Sequence, residues 1–360
     1  MLKTTPAVFA VGKEYQIMVE VECESLFSVK IDKNTYYDES NGIMNSQQPI
    51  HRVNVPMEEL NNAGEYTVCV RPIILRKPYY TQTQPIYEET YRFDKLPDKN
   101  IRVFHISDAH NMIESPVAAA KTFGNIDLLI LNGDVIDHSG DPEKFTNIYQ
   151  ICALLTGGSK PIIFSRGNHD MRGNFAEKFA DYTPSQYKNT YYTFTLGNIW
   201  GMLLDCGEDK DDSHPEYGHT VACHQFRERQ TEFIKNVIKN ADTEYAAENI
   251  KTKLIISHNP FTEVLRHPFD IEKEIFSTWA SLLKEHIKPD LMICGHTHHY
   301  GINNIGGEKD HLGQPCTVVV AAEPQKERYI GGGFIINDDR IEIQFTDSLG
   351  GTVLKETLKK

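Results

Sequence analysis

Five short stretches of the chain place cation-binding side chains directly after apolar runs. Residues 101–107 run into Asp108-Ala109-His110, and residues 128–133 run into Asp134. Residues 161–165 run into Arg166-Gly167-Asn168-His169-Asp170. Residues 254–257 are followed by His258, and residues 291–295 by His296-Thr297-His298. Short apolar runs bounded by Gly and polar residues read as buried strands. In open α/β sheets, ligands bind beyond the carboxyl ends of the strands. Five strands are therefore expected to deliver carboxylate, imidazole and amide donors to one edge of a sheet.

In order, these stretches are D-x-H, G-D, G-N-H-D, a lone His and G-H-x-H. They resemble the pattern of the calcineurin-like metallophosphoesterase family, over roughly residues 100–348. The resemblance implies a four-layer α/β/β/α sandwich with two transition-metal or divalent ions at the sheet edge. It assigns Asp108, His110 and His298 to one ion, Asn168, His258 and His296 to the other, and Asp134 to both. Two cations a few ångströms apart repel, so a shared anion is needed between them. Mixed imidazole and carboxylate ligands suit Mn, Fe or Zn better than Ca, and the absence of Cys ligands disfavours a structural zinc. Such a pair would screen an anionic ester and activate a bridging water or hydroxide as nucleophile.

The resemblance gives His169 a different task, that of general acid toward the leaving oxygen, which an ordinary imidazole pKa suits. Asp137 is the candidate orienting carboxylate, because Gly133-Asp134-Val135-Ile136-Asp137 is similar to the G-D-x-x-D of phosphoprotein phosphatases. Purple acid phosphatases carry a metal-binding Tyr there, so a purple, charge-transfer centre is not expected. His138 stands where phosphoprotein phosphatases have a phosphate-gripping Arg, which counts against that subgroup. Arg172 and His299 are the candidate substrate contacts, with Tyr300 beside them. Arg166 reads as a strand-end surface charge, and His105 and Cys294 as core. The acidic loop 206–224, with His214, His219 and His224, is expected to lie beside the site.

The elements that must position these residues begin near residue 101. Helices are expected over 116–123, capped by Ser115, over 142–155, capped by Asp141, over 225–240 and over 271–287. In the helix over 225–240, Phe226, Phe233, Ile234, Val237 and Ile238 share one face. An antiparallel pair is expected at 191–196 and 199–204, turning at Gly197-Asn198, and closing strands at 317–321, 333–336 and 340–345. Residues 1–96 differ in texture. Strand-like stretches at 15–22, 28–31 and 66–70 are separated by Asn, Gly and Pro, with no long helical period. They are expected to form a small all-β sandwich domain, similar to immunoglobulin or fibronectin type III domains, ahead of a metallophosphoesterase domain over 97–360. Tyr66 resembles the tyrosine corner of such domains. Cys23 and Cys69 could be the inter-sheet pair of such a domain, but Tyr66 lies three residues before Cys69, where the antibody pattern has two, so Tyr66 and Cys69 would face opposite ways along the strand, which argues against a disulfide.

Composition narrows the function. The chain has 360 residues, 40% of them hydrophobic, ample for two domains. A net charge of -13 argues against a nucleic-acid partner. No apolar run reaches membrane-spanning length. Seven scattered Cys without a C-x-x-C pair, and no export-signal pattern at the start, fit a cytoplasmic protein, or an exported one whose signal was trimmed. The expected activity is metal-dependent hydrolysis of a small phosphate ester. The β-sandwich ahead of the metal motifs is similar to purple-acid-phosphatase-like proteins and favours a monoester. A phosphodiesterase, of cyclic-nucleotide or nuclease type, and a catalytically silent scaffold are the alternatives.

Overall fold

The computed structural model describes residues 1–325 and 327–360. Its centre is three apolar segments, Ile101–Ile106, Leu128–Asn132 and Pro161–Ser165, which lie side by side and parallel. They are buried almost throughout. Parallel strands are covered on both faces, which is why they read as unbroken apolar runs. Tyr329–Ile336, Arg340–Asp347 and Thr352–Lys359 extend this sheet antiparallel on one side, with Ala322–Pro324 pairing Tyr329–Ile336. A second, six-stranded sheet runs in the order Tyr192–Leu196, Ile199–Leu204, Thr252–Ser257, Leu291–Cys294, Val318–Val320 and Gly301–Asn303.

The two sheets share a core that contains Leu128, Ile130 and Ile163 from the first and Leu254, Ile256 and Ile293 from the second. Helices Glu114–Phe123 and Phe145–Thr156 cover the outer face of the first sheet, and Cys223–Lys239 and Lys273–Leu282 that of the second. The α/β/β/α layering follows. Three details of the helices differ from expectation. Ser115 lies inside Glu114–Phe123 rather than capping it, and its hydroxyl turns to Met112 Sδ. Asp141 caps only a short 3-10 turn, accepting from Glu143 N, before Phe145–Thr156 begins. The buried face of Cys223–Lys239 carries Arg227 and Gln230 beside Ile234 and Val237, whereas Phe226, Phe233 and Ile238 sit at its margin. An apolar count passes over buried polar residues of that kind.

Residues 1–96 are rich in strands, yet their strands are divided between two sheets. Glu65–Lys77, Ser25–Ile31, Asn34–Tyr37, Tyr80–Thr83 and Tyr87–Arg92 make a separate antiparallel sheet of five. Ala7–Val11 instead joins the large sheet, parallel to Pro161–Ser165, and Glu14–Glu20 and Ile50–Pro56 continue it to ten strands. A boundary at residue 96 therefore cuts between chain segments but not between sheets. The helix Met57–Ala63 also interrupts the all-β texture. The cause is burial: Ala7, Val8, Phe9 and Ala10 are fully buried, two on each face of the strand, as an interior strand requires.

Tyr66 is likewise not a local corner. Its hydroxyl donates to the carbonyl of Gly158, just before the strand Pro161–Ser165, at 2.8 Å. All seven cysteines are free thiols, six buried and Cys23 exposed. Among the described residues no helix is long and apolar enough to cross a membrane.

Phe9 packs edge-on against Tyr149 and Phe164. Phe9→Ala should therefore cost about 3–5 kcal/mol, as for a buried aromatic elsewhere, read from a denaturant midpoint. Removing residues 1–96 should uncover the edge of Pro161–Ser165 and give an aggregated product with poor metal retention. A soluble, metal-loaded truncation seen by gel filtration and elemental analysis would contradict this.

Candidate metal centre

The carboxyl ends of five strands, three from the large sheet and two from the six-stranded one, meet where the sheets face each other. Turns at those ends are forced into an unusual backbone. Asp108, His110, Asp134, His296 and His298 all have positive φ, between 43° and 69°. Asp and His tolerate this region better than most residues, but each instance costs of order 1–3 kcal/mol. Two glycines permit the crowding. A Cβ on Gly167 would lie 2.1 Å from Asp134 Oδ1, and one on Gly295 would lie 1.9 Å from Ser107 Oγ.

Three triads, Asp108–His110–His298, His110–Asp134–His169 and Asp108–Asp134–His258, each bring three donor atoms within 4.8 Å of one another. His298 Nε2 is 3.2 Å from Asp108 Oδ1 and 3.2 Å from His110 Nε2. His296 Nδ1 lies 3.1 Å from Asn168 Oδ1. The seven side chains singled out as ligands in the sequence are thus one cluster. His258 tests whether they suit cations. Its Nδ1–H donates to the Asn132 carbonyl at 2.8 Å, which turns Nε2 inward. That Nε2 is buried, lacks a hydrogen-bond partner, and lies 3.2 Å from Asp134 Oδ2 and 3.8 Å from Asp108 Oδ1. A ring nitrogen fixed through its other nitrogen and aimed at two carboxylates is the arrangement of a metal-binding His.

The electrostatics agree. Burial opposes charge on His258, but Asp134 and Asp108 outweigh it and raise the imidazole to about 10. Burial, then the charge on His258, lowers His296 to about 4. Burial and the neighbouring Asp134 raise Asp170 to about 8, against the pull of two backbone N–H groups.

Other expectations fare differently. His169 stands at the cluster, its backbone N–H donating to Asp134 Oδ1 at 2.9 Å. Its orienting partner is not the Asp137 carboxylate. His169 Nδ1–H donates to the backbone carbonyl of Asp137 at 3.0 Å, while the carboxylate accepts from Lys144 Nζ at 2.7 Å. The short turn after Asp134 brings the backbone of Asp137, rather than its side chain, to the imidazole. Arg172 reaches His169 Nε2 at 3.2 Å and is gripped by Glu208. Arg166 is an ion-pair partner of the buried Asp205, not a surface charge. His299 is 82% exposed and lines the mouth of a cleft of about 380 Å³ over Asp134, Asn168, His169, His296 and His298. Tyr300 packs against Phe345.

Some contributors were not singled out. Ser107 Oγ donates to Asp108 Oδ2 at 2.7 Å, and Asp170 Oδ2 accepts from the N–H groups of Gly167 and Asp134. Asp209 accepts from Asn168 Nδ2 at 3.4 Å. Its signal was present: residues 199–204 form a sixth apolar run, ending in Asp205-Cys206-Gly207-Glu208-Asp209.

Below about pH 10 a cation at His258 Nε2 has to displace a proton in the metal-free protein. Affinity should therefore rise with pH through the neutral range, by up to about tenfold per unit for one proton. Calorimetry at pH 7 and pH 8 in buffers of different ionisation enthalpy should show proton release. Binding that is independent of both pH and buffer would contradict the assignment.

Comparison with curated proteins by sequence gives no match. Among solved structures, the whole chain matches 75% of a purple acid phosphatase from yellow lupin (Lupinus luteus) seeds, at 12% identity and a TM-score of 0.59. About 72% of the chain matches 98% of a predicted phosphoesterase from Streptococcus pneumoniae at 10% identity and a TM-score of 0.35. Vacuolar Protein Sorting 29 from Cryptosporidium parvum is matched over its full length by 73% of the chain, at 11% identity and a TM-score of 0.37. The family model described as calcineurin-like phosphoesterase matches residues 101–300, more than half of the chain. That span opens on the strand leading to Asp108 and closes just past His298, so the whole cluster falls within it, and the chain belongs to the calcineurin-like phosphoesterase family.

Proposed function

We propose that the chain hydrolyses phosphate monoesters with two divalent ions, one held by Asp108, His110 and His298, the other by Asn168, His258 and His296, and Asp134 shared. The observation that carries this reading is the inward Nε2 of His258, buried and facing the carboxylates of Asp134 and Asp108. When bound, the ions supply screening of the phosphoryl charge and acidify water, and Mn, Fe or Zn suits the donors.

The chain's own groups do the rest. Asp134 spans the centre, with Oδ1 on the His169 backbone and Oδ2 facing His258. His169 is fixed through Nδ1; its Nε2, which accepts from Arg172 Nη1 in this structure, would take up a proton as that guanidinium turns to the phosphoryl oxygens and pass it to the departing oxygen as the phosphorus–oxygen bond breaks. Arg172 stands beside that nitrogen as a fixed positive charge for the phosphoryl oxygens, and His299 offers a polar contact at the rim. Leu265 and Phe269 line the same cleft and give it an apolar side. A cleft of about 380 Å³ has room for a phosphoryl group with a small leaving group; the choice of a monoester rests on the whole-chain likeness to a purple acid phosphatase.

His169→Asn should lower kcat by about 10²–10⁴, least for p-nitrophenyl phosphate, whose leaving group needs little protonation, and most for an alkyl phosphate. Metal content should not change. Asp137→Asn should leave that leaving-group trend as it is, since the backbone carbonyl remains. Rates on p-nitrophenyl phosphate, bis-p-nitrophenyl phosphate and a cyclic nucleotide with added Mn separate monoesterase from diesterase. Preference for the diesters would overturn the monoester assignment.

A further inference from the structure

Beyond the strand Ile199–Leu204 the chain enters an irregular segment that buries four charged side chains. Asp205, Glu208, Asp209 and Lys210 are each 9% exposed or less. Buried charges are costly unless paired and held, so their surroundings are informative. The helix Cys223–Lys239 fixes the segment's backbone from behind. Arg227 Nε donates to the Cys206 carbonyl at 2.7 Å, and its Nη2 donates to that of Glu208. Gln230 bonds both the N–H and the carbonyl of Asp205. Tyr217 OH lies 3.1 Å from Glu208 Oε2 and 3.1 Å from Asp209 Oδ1, and Lys210 Nζ lies 3.2 Å from Asp209 Oδ1.

What these carboxylates present on their other side is the Asn168-His169 pair. Glu208 takes Nε and Nη2 of Arg172 in a two-pronged grip, at 3.1 Å each, which leaves Nη1 3.2 Å from His169 Nε2. Asp209 Oδ2 accepts from Asn168 Nδ2, so that Asn168 Oδ1 faces His296. An amide has a donor end and an acceptor end, and only the oxygen can face a cation.

We propose that Asp209 and Glu208 are positioning residues for Asn168 and His169. Asp209 sets which end of the Asn168 amide faces the metal, and Glu208, through Arg172, sets the His169 ring. The assignment rests on the two-ion reading above. Asp209 also lies 3.6 Å from Arg172 Nη2, but it alone of the two bonds Asn168, and Glu208 alone holds Arg172 by two hydrogen bonds, so the main effects of their losses separate.

Titrating the metal-free chain with Mn²⁺ by calorimetry should show two ions in the unaltered protein. Asp209→Ala should weaken one of them about 10–100-fold, the usual effect of losing a partner behind a ligand, and leave the other unchanged. Asp209→Asn, which keeps an acceptor oxygen, should recover most of that loss. Glu208→Gln should bind both ions normally, yet lose more kcat on an alkyl phosphate than on p-nitrophenyl phosphate. Asp209→Ala with both ions at their original affinity, or with both weakened alike, overturns the role of Asp209. Equal loss on both esters overturns that of Glu208. Fewer than two ions in the unaltered protein overturns the two-ion reading itself. Circular dichroism of the metal-free variants checks folding. If Asp209→Ala unfolds, Tyr217→Phe removes only the hydroxyl shared by the carboxylates and should shift both readouts in the same directions by less; no shift in either overturns the proposal.

Discussion

The site exists only if two sheets end at the same place, and one buried amide holds them there. Asn132 closes the strand Leu128–Asn132, and its Nδ2 donates to the carbonyls of Ser257 and Ile293, on two strands of the other sheet, at 3.2 Å each. Its own carbonyl accepts from His258 Nδ1 at 2.8 Å and lies 2.7 Å from Ser107 Oγ, whose single proton it shares with Asp108 Oδ2. One residue thus joins the ends of four strands. A buried polar group left without its partner costs about 1–3 kcal/mol, so a slip of one sheet against the other is penalised at several bonds together. Apolar contacts between the sheets lack that directionality and could not set the register of the donors as closely.

The same junction concentrates negative charge and strained backbone. Without cations, Asp108 and Asp134 are held ionised despite complete burial, which works against it, by the imidazole of His258, joined at Asp108 by that of His298. Protonated His258 is then the internal counter-ion. The positive φ values at five donors add strain that neighbouring bonds must hold. Such a centre is poised for cations at some expense to the stability of the metal-free fold, and the broad apolar core between the sheets offsets it.

Much of this was readable from the residues. Each apolar run that ended in a ligand-type residue became a strand ending at the cluster, because local pattern and burial agree there. Reading failed where a contact runs through backbone or across distant segments. Asp137 was assigned by its side chain, whereas its carbonyl does the orienting. Asp209 and Glu208 lay in an acidic loop expected beside the site, but they were not singled out within it, because their buried partners come from elsewhere in the chain, Arg172 and the helix Cys223–Lys239. The N-terminal segment had the right texture for a β domain. Nothing local marked Ala7–Val11 as the neighbour of Pro161–Ser165, since a strand buried on both faces looks alike in either sheet.

That pairing has a consequence for how the chain is made. Val8 and Phe9 leave the ribosome early, but their partners Pro161 and Ile162 follow some 150 residues later. Domains generally fold as units during synthesis, the earlier ones first. Here the five-stranded sheet of residues 25–92 can close on itself, since all its pairings lie within that range. The strand Ala7–Val11 cannot complete its pairing until residues 161–165 have emerged. Until then a fully apolar strand has one edge open, and a nascent chain that ends between these two segments is the species most exposed to aggregation.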